Sequence, residues 1–285
     1  MTSFSDRLAV SPPIACPGVF DALSALLAEE AGFKGMFLSG SALSYSGLGR
    51  PDIGLVSSTE LVDATARITD RVSTPLVVDA DGGMGGVAHV GRLVRSLSRA
   101  GAAAVQIEDQ AETKPAHALT SRPLISAEAM VGKIKAAQDA RLTDECLISA
   151  RTDAAVSVGF DEALRRAERY VAAGCDLLFI EGITTSEQFA EVGNRFGSEL
   201  PLVHNMFKGS ASPASSLAEL AENGFSIGLF SGVIISTMIL SAQAMLATLN
   251  TTGALASVAD RMHDNAAMVE TIGASAFLVR YADMG

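Results

Sequence analysis

The sequence predicts one eight-stranded α/β barrel, the (β/α)8 or TIM barrel, and three observations support this. The chain has 285 residues, and such a barrel occupies about 250 residues as a single unit. Short apolar runs alternate with helical stretches eight times along the chain, a pattern typical of a parallel sheet. Hydrophobic residues make up 48% of the chain and charged residues 19%, so one large core can form. A doubly wound open sheet is the structural alternative.

Charge and cysteine content argue against several classes of partner. The formal net charge is −11, which argues against a nucleic acid or an anionic membrane as the partner. A small anionic substrate stays compatible, because a bound divalent cation reverses the local sign. The three cysteines are scattered and no signal-peptide pattern is seen, so we expect a cytoplasmic protein. Polar residues interrupt the apolar stretch 227–249, which favours a barrel strand and helix over a membrane span.

The eight units follow one another from the N-terminus. The predicted strands cover residues 14–18, 35–38, 76–78, 104–107, 147–150, 177–180, 202–204 and 225–230. The predicted helices cover residues 21–31, 61–72, 87–100, 127–141, 161–173, 186–196, 217–223 and 233–249. Asp21 is placed as an N-cap, and Ser58 with Glu60 as a capping box. Glycine follows four of the helices at the expected C′ position: Gly32, Gly101, Gly174 and Gly224.

The last stretch, 255–271, is also predicted to be helical and has no strand to follow it. Its apolar residues recur at helical spacing, and such a stripe left in water would be an exposed apolar patch. We therefore divide the chain into a barrel, 1–253, and a C-terminal helical segment, 254–285. The stripe predicts a homo-oligomer, a dimer or a tetramer, that uses this segment.

The third strand ends in two carboxylates, Asp79 and Asp81, followed by a run containing four glycines at 82–86. Side chains alternate along a strand, so the two acids are expected on one side. They need a cation, because an unpaired charge in an apolar setting is costly. The glycines let the backbone turn tightly and leave space for a ligand above the acids. A solvated acidic turn is the simpler alternative.

Polar residues also follow most other strands, at the barrel end where working residues lie. Together the strand ends supply Ser39, Gly40, Ser41, Asp79, Asp81, Glu108, Arg151, Glu181 and Asn205. Polar groups at so many strand ends are hard to explain by stability, since each needs a partner. Oxygen ligands favour Mg²⁺, with Mn²⁺ as the alternative, and the few imidazoles argue against zinc. The substrate would be a small α-oxo or α-hydroxy carboxylate, which the planar fork of Arg151 is suited to bind.

Several motifs resemble the isocitrate lyase/phosphoenolpyruvate mutase superfamily. They are DADG at 79–82, VQIEDQ at 105–110, SARTDA at 149–154, SG at 39–40, PDIG at 51–54 and Glu181. The resemblance covers residues 17–205 well and the rest weakly. It implies a Mg²⁺-dependent barrel, commonly a tetramer that exchanges a C-terminal helix between subunits. It also implies chemistry on a C–C or C–P bond next to a carboxylate, through enolpyruvate-like intermediates.

The resemblance implies a role for each matching residue. The metal would be held directly or through water by Asp79, Asp81 and Glu108. Substrate oxygens would be bound by Ser39, Gly40 and Ser41, and the substrate carboxylate by Arg151. Asp52 would assist the metal's water shell. The catalytic set is completed by Lys114 and Glu181, and Asn205 is added to the substrate-binding residues.

The loop after the fourth strand departs from the family pattern. Related lyases carry Lys-Arg-Cys-Gly-His there, with the Cys as the acid, whereas residues 114–117 of this chain are Lys-Pro-Ala-His. The mutases' Lys-Thr-Asn-Ser is absent too. His117 is a candidate acid, since imidazole titrates near neutrality, and a solvated loop histidine is an equal alternative. Phe207 and Lys208 replace the lyases' Thr-Glu pair for a second carboxylate, so we expect an acid smaller or more apolar than isocitrate.

These observations leave four hypotheses for function. A Mg²⁺-dependent decarboxylase of an oxaloacetate-type acid tolerates Ala116, because carbon dioxide departs without a proton. A retro-aldol lyase of a substituted malate is almost level with it. A C–P mutase or hydrolase of the same superfamily is the enzymatic alternative. The non-enzymatic alternative is a metabolite-binding protein on a lyase scaffold.

Overall fold

The structure, a computed structural model, describes residues 3–10, 13–111 and 123–282 and contains a closed barrel of eight parallel strands. The strands are β1 (Ile14–Val19), β2 (Met36–Leu38), β3 (Leu76–Asp79), β4 (Ala104–Glu108), β5 (Leu147–Thr152), β6 (Leu177–Ile180), β7 (Leu202–Asn205) and β8 (Ile227–Phe230). Each strand pairs with the next along the chain, and β8 pairs with β1. Closure leaves no free sheet edge. The predicted barrel is confirmed, and the open sheet is wrong.

Thirteen α-helices lie in the described part of the chain. They are α1 (Phe4–Val10), α2 (Ala22–Glu30), α3 (Gly40–Leu43), α4 (Ser58–Arg71), α5 (Val87–Arg99), α6 (Ala127–Ala140), α7 (Ala154–Ser157), α8 (Phe160–Ala172), α9 (Ser186–Phe196), α10 (Leu217–Glu222), α11 (Val233–Thr252), α12 (Asn265–Thr271) and α13 (Ala274–Ala282). Helix α13 lies within the predicted C-terminal helical segment 254–285, whereas the sequence does not predict α1, α3 and α7, or the π-helical turn Ser44–Leu48. Elements this short carry too little apolar periodicity to be recognised.

Helix α1 covers the N-terminal end of the barrel. Its Phe4 and Leu8 are buried and belong to one apolar cluster with the barrel-lining side chains at the starts of the strands, among them Ile14, Leu147 and Leu177. The interior is therefore a packed core at this end. The opposite end, where the strands finish, is left for polar side chains.

The helix ends follow the predicted signals with one shift. Asp21 caps α2 by accepting a hydrogen bond from the Ser24 backbone N–H. The capping box of α4 uses Ser57 and Glu60, so the predicted Ser58 is one residue late. The four C′ glycines all have positive φ angles, between 76° and 92°, which glycine adopts without steric cost.

The chain divides into two compact units, Met1–Val233 and Ile234–Gly285. The first contains the barrel. In the second, the predicted continuous helix over 255–271 is wrong, because two 3₁₀ turns, Leu255–Ser257 and Ala259–Arg261, precede α12. Asp264 then starts α12 by accepting a hydrogen bond from the Ala267 backbone N–H. The assignment of 1–253 and 254–285 as functional divisions stays a prediction.

Within the described residues, α11 is long and apolar enough to cross a membrane, judged by length and composition alone. Its mean hydropathy is 1.6, and 6% of the stretch is buried. One such helix is weak evidence for a membrane span. The expectation that no membrane is involved therefore stays a prediction.

Two helical glycines provide a matched test of the packing. A Cβ on Gly193 of α9 would lie 1.8 Å from the Asn223 carbonyl oxygen, whereas a Cβ on Gly91 of α5 would meet nothing closer than 3.7 Å. Gly193→Ala is expected to lower the free energy of unfolding by about 1–3 kcal/mol. Gly91→Ala is expected to raise it by about 0.5–1 kcal/mol, because alanine is the better helix former. Urea unfolding of both variants measures the difference, and equal midpoints would contradict this packing.

Candidate active site

The strand ends bring the predicted polar residues to one mouth of the barrel. Asp79 is the last residue of β3, and Glu108 is the last residue of β4. Glu108 lies directly opposite Arg151 in the β4–β5 pair. Carboxylates and a guanidinium from neighbouring strands therefore face the same space.

Arg151 is held on three sides. Its Nε and Nη2 donate to the two carboxylate oxygens of Asp153 at 3.0 and 2.9 Å. Its Nε also lies 3.2 Å from Glu108 Oε2, and its guanidinium carbon is 5.0 Å from the centre of the Phe179 ring. These contacts leave Nη1 unused. The side chain is thus fixed in orientation, and within the described residues its Nη1 stays available as a donor.

The charges around Arg151 determine the protonation of both partners. Burial alone would lower the pKa of Arg151, but the carboxylates of Asp153, Glu108 and Glu181 raise it well above its usual value. Burial raises the pKa of Glu108 well above its usual range, and the negative charges of Asp153, Asp81 and Asp79 raise it further. Arg151 opposes this shift. Several carboxylates of the mouth therefore act electrostatically on Arg151 and on Glu108.

The turn after β3 does not continue the strand. Asp81 has a φ of 47°, and Met84 a φ of 54°, both in the left-handed region that non-glycine residues rarely adopt. The sequence predicts Asp79 and Asp81 on one side because side chains alternate along a strand. That reason is wrong, since the strand stops at Asp79. Both acids still lie close enough to Glu108 to raise its pKa. Such strained turns persist where the surroundings fix them.

Two buried contacts hold this turn, and the sequence does not reveal either. Lys133 of α6 is buried and donates from Nζ to the Gly82 carbonyl oxygen at 2.6 Å. A Cβ on Gly83 would lie 2.4 Å from a methyl carbon of Val90, so α5 packs closely against the turn. Lys133 looks like an ordinary helix lysine in the sequence, because only the fold buries it.

Residues after β2 approach the acids from the other side. Ser39 is buried and its Oγ lies 3.0 Å from Ser41 Oγ. A Cβ on Gly40 would come within 3.4 Å of Asp79 Oδ2, so this backbone lies against the carboxylate. Asp52 is half buried in the segment that follows, and its part in a water shell stays a prediction.

Four predicted residues remain to be considered: Glu181, Asn205, Lys114 and His117. Glu181 follows β6, with its backbone N–H bonded to the Thr152 carbonyl and its charge acting on Arg151. Asn205 ends β7, and its Oδ1 accepts a hydrogen bond from Ser231 Oγ at 2.9 Å. Lys114 and His117 fall outside the described residues. No position in the site can therefore be given for either of them.

His204 and Cys16 are buried side chains that lie among core residues. His204 is buried and lies edge-on to Phe189 and Phe225, with Nε2 2.7 Å from Ser212 Oγ. Burial lowers its pKa to about 4, so the ring is neutral at pH 7. Burial raises the pKa of Cys16 to about 12, which argues against a thiolate nucleophile.

The donor set fits a hard cation bound largely through water. Among residues 3–10, 13–111 and 123–282, no three His, Cys, Asp or Glu side chains converge closely enough to hold a metal ion between them. A direct cage of Asp79, Asp81 and Glu108 is therefore not formed. Mg²⁺ commonly keeps several waters and uses one or two carboxylates, and the carboxylates clustered around Glu108 suit a cation. Metal binding stays a prediction.

A parallel barrel with a fixed arginine and clustered carboxylates at its C-terminal mouth is suited to an enzyme that binds small carboxylic acids. A family model described as phosphoenolpyruvate phosphomutase matches residues 4–254. A 2-methylisocitrate lyase of Aeropyrum pernix is 39% identical over 260 residues, 91% of this chain and 83% of that protein. A 2,3-dimethylmalate lyase of Eubacterium barkeri is 37% identical over 227 residues, 79% of this chain and 77% of that protein.

Solved structures agree with these relatives. A crystal structure of 2,3-dimethylmalate lyase has a TM-score of 0.91 and 30% identity, covering 98% of this chain and 93% of that chain. An oxaloacetate acetylhydrolase with the inhibitor 3,3-difluorooxalacetate has a TM-score of 0.91 and 29% identity, covering 98% and 95%. The chain belongs to the PEP mutase/isocitrate lyase superfamily, as its motifs indicated. It is an enzyme of the carbon–carbon lyase class, and the binding-protein alternative is set aside.

Proposed function

We propose that this enzyme cleaves a C–C bond next to the carboxylate of an α-hydroxy or α-oxo acid. A substituted malate is the leading substrate class and an oxaloacetate-type acid the second. The observation that supports this best is the fixed guanidinium of Arg151, with Nη1 left outside its contacts to Asp153 and Glu108. A guanidinium edge is matched in shape and charge to a carboxylate.

The residues of the mouth have distinct tasks in this reaction. Arg151 binds and orients the substrate carboxylate, and Ser39 and Ser41 donate to its neighbouring oxygens. In retro-aldol cleavage the hydroxyl loses its proton, its carbon becomes a carbonyl, and the electrons of the broken C–C bond move into the other fragment as an enolate. Protonation of that fragment needs an acid, for which His117 and Lys114 are the candidates. Mg²⁺ bound near Asp79, Asp81 and Glu108 would supply a Lewis acid that stabilises developing oxyanion charge.

Two observations divide the substrate classes. Relatives that are 39% and 37% identical to this chain over 260 and 227 aligned residues are named as lyases of methylisocitrate and dimethylmalate, which favours retro-aldol cleavage. Ala116 replaces the acid of such lyases, which favours decarboxylation of an oxaloacetate-type acid, because carbon dioxide leaves without needing a proton. The family model carries the name of a C–P mutase, so phosphonopyruvate belongs in the same assay.

The proposal is tested by turnover of a panel of acids with identification of the products. We expect cleavage of a substituted malate or of oxaloacetate, and at least a hundredfold loss of kcat/KM in Arg151→Gln, equal to about 2.7 kcal/mol. Arg165→Gln is the matched control, since Arg165 is exposed and pairs only with Glu162 among the described residues. Turnover of phosphonopyruvate alone would contradict the proposal, and so would an Arg151→Gln variant that keeps full activity.

The same assay tests the metal. Excess chelator is expected to abolish turnover, and added Mg²⁺ to restore it. Asp79→Asn should lose activity while the fold is kept, whereas Asp63→Asn, on the exposed side of α4, should not. Undiminished turnover in excess chelator would show that no divalent metal is needed.

We also propose a soluble cytoplasmic homo-oligomer, a dimer or tetramer, that uses the unit Ile234–Gly285. This unit exposes large apolar side chains: Met238, Ile239, Leu240, Leu246, Leu249, Phe277, Leu278 and Val279. Such a surface left in water favours association, and the hydroxyl and amide groups spread along α11 favour a protein partner over lipid. Light scattering should find more than one copy per particle at micromolar concentration. A stable monomer would contradict the proposal.

A further inference from the structure

We propose that Asp109 is a positioning residue for this reaction. It fixes the backbone at the end of β5 and thereby the orientation of Arg151. The inference rests on the proposed function, in which Arg151 binds the substrate carboxylate. Asp109 follows directly on Glu108, the last residue of β4, and its carboxylate is bonded to side chains of β5 and α8. Asp109 is completely buried, and a buried carboxylate is retained only where it is well partnered.

The carboxylate of Asp109 collects four hydrogen bonds from three elements. Its Oδ2 accepts from Thr152 Oγ1 at 2.7 Å, from Tyr170 OH at 2.8 Å and from Arg166 Nη1 at 2.9 Å. Its Oδ1 accepts from the Asp153 backbone N–H at 3.0 Å. Burial, reinforced by the negative charge of Asp109, raises the pKa of Tyr170 above its usual value, so the phenol stays protonated as a donor.

One of these bonds reaches the substrate-binding arginine through a single residue. The Asp153 backbone N–H bonds to Asp109, and the Asp153 carboxylate accepts both parallel hydrogen bonds of the Arg151 fork. The Asp109 backbone N–H also bonds to the Arg151 carbonyl at 3.2 Å. Thr152 lies between Arg151 and Asp153 in the chain, and its Oγ1 accepts a hydrogen bond from the Ala154 backbone N–H. Asp109 therefore fixes the backbone on both sides of Thr152, where β5 ends and α7 begins.

The same cluster holds the residues that flank segment 112–122 on both sides. This segment contains Lys114 and His117. The Ile125 backbone N–H bonds to the Asp109 carbonyl at 2.9 Å, and Arg166 Nη1 donates to the Ile125 carbonyl at 3.0 Å. Next to these, the Ala111 N–H bonds to the Pro123 carbonyl at 2.7 Å. The residues that flank segment 112–122 and the backbone around Arg151 are thus held by the same buried cluster.

Asp109→Asn is an informative substitution because all four partners of the Asp109 carboxylate are hydrogen-bond donors. A carboxylate accepts at both oxygens, whereas an amide presents a second donor at one of them. Asp109→Asn keeps the shape of the side chain and sets that donor against a donor from Thr152, Tyr170, Arg166 or Asp153. A conflict in a buried network is resolved by movement of the backbone it holds, and here that backbone carries Asp153.

The test measures the affinity for oxalate, a small dicarboxylate, by calorimetry at fixed Mg²⁺. We expect Asp109→Asn to weaken oxalate binding at least tenfold. The matched control is Asp176→Asn. Asp176 likewise accepts from an arginine, Arg141, and from a backbone N–H, that of Ile148, but it lies at the opposite end of the barrel. The Asp176→Asn variant is expected to have a lower free energy of unfolding and an unchanged affinity for oxalate.

A double-mutant cycle separates positioning from general damage. If Asp109 acts through Arg151, Asp109→Asn should weaken oxalate binding less than twofold further in an Arg151→Gln background. If Asp109→Asn does not fold, Tyr170→Phe removes one donor and is expected to weaken binding two- to fivefold.

Three outcomes would overturn the inference. They are unchanged affinity in Asp109→Asn, unchanged affinity in Tyr170→Phe when Asp109→Asn cannot fold, and additive losses in the cycle. Wild-type protein that binds no oxalate would overturn the proposed function, and this inference with it. Oxalate binding by the wild type together with any of the three outcomes would overturn this inference alone.

Discussion

The ion pair between Arg151 and Asp153 is the interaction on which the rest of the site depends. It holds a guanidinium that faces the clustered carboxylates of the mouth, and it uses both oxygens of Asp153 to do so. The same guanidinium lies 3.2 Å from Glu108 Oε2 and supplies the charge that opposes protonation of Glu108. A buried pair of this kind adds little to stability. Its value is that it gives a flexible side chain one orientation.

The wall of the mouth formed by the turn after β3 is rigid for a different reason. The turn from Asp81 to Gly85 contains two non-glycine residues with left-handed backbone angles, and such conformations cost free energy wherever they occur. Contacts from two neighbouring helices retain them: the ammonium group of Lys133 on the Gly82 carbonyl, and Val90 against Gly83. One wall is thus set by an ion pair and the other by backbone packing, so both are formed before a ligand arrives.

The sequence predicts those parts of the fold and site that depend on local patterns. Apolar runs ending in polar residues located all eight strands, and glycines after helices located their ends. The roles of Lys133, Phe179 and Asp109 could not be predicted, because each depends on contacts between elements distant in the chain. The strand alternation assumed for Asp81 fails because β3 stops at Asp79 and the backbone of Asp81 is left-handed. Helix α1 was missed because its seven residues show only two core-facing positions.

The central claim is that Arg151, held by Asp153 and Glu108, binds the substrate carboxylate. A crystal structure of the protein with oxalate and Mg²⁺ tests it most directly, since oxalate presents two carboxylates and little else. The account predicts oxalate in the barrel mouth, with Nη1 of Arg151 donating to a carboxylate oxygen while the fork to Asp153 is kept. Oxalate bound away from Arg151, or an Arg151 that has left Asp153 to reach it, would contradict the account.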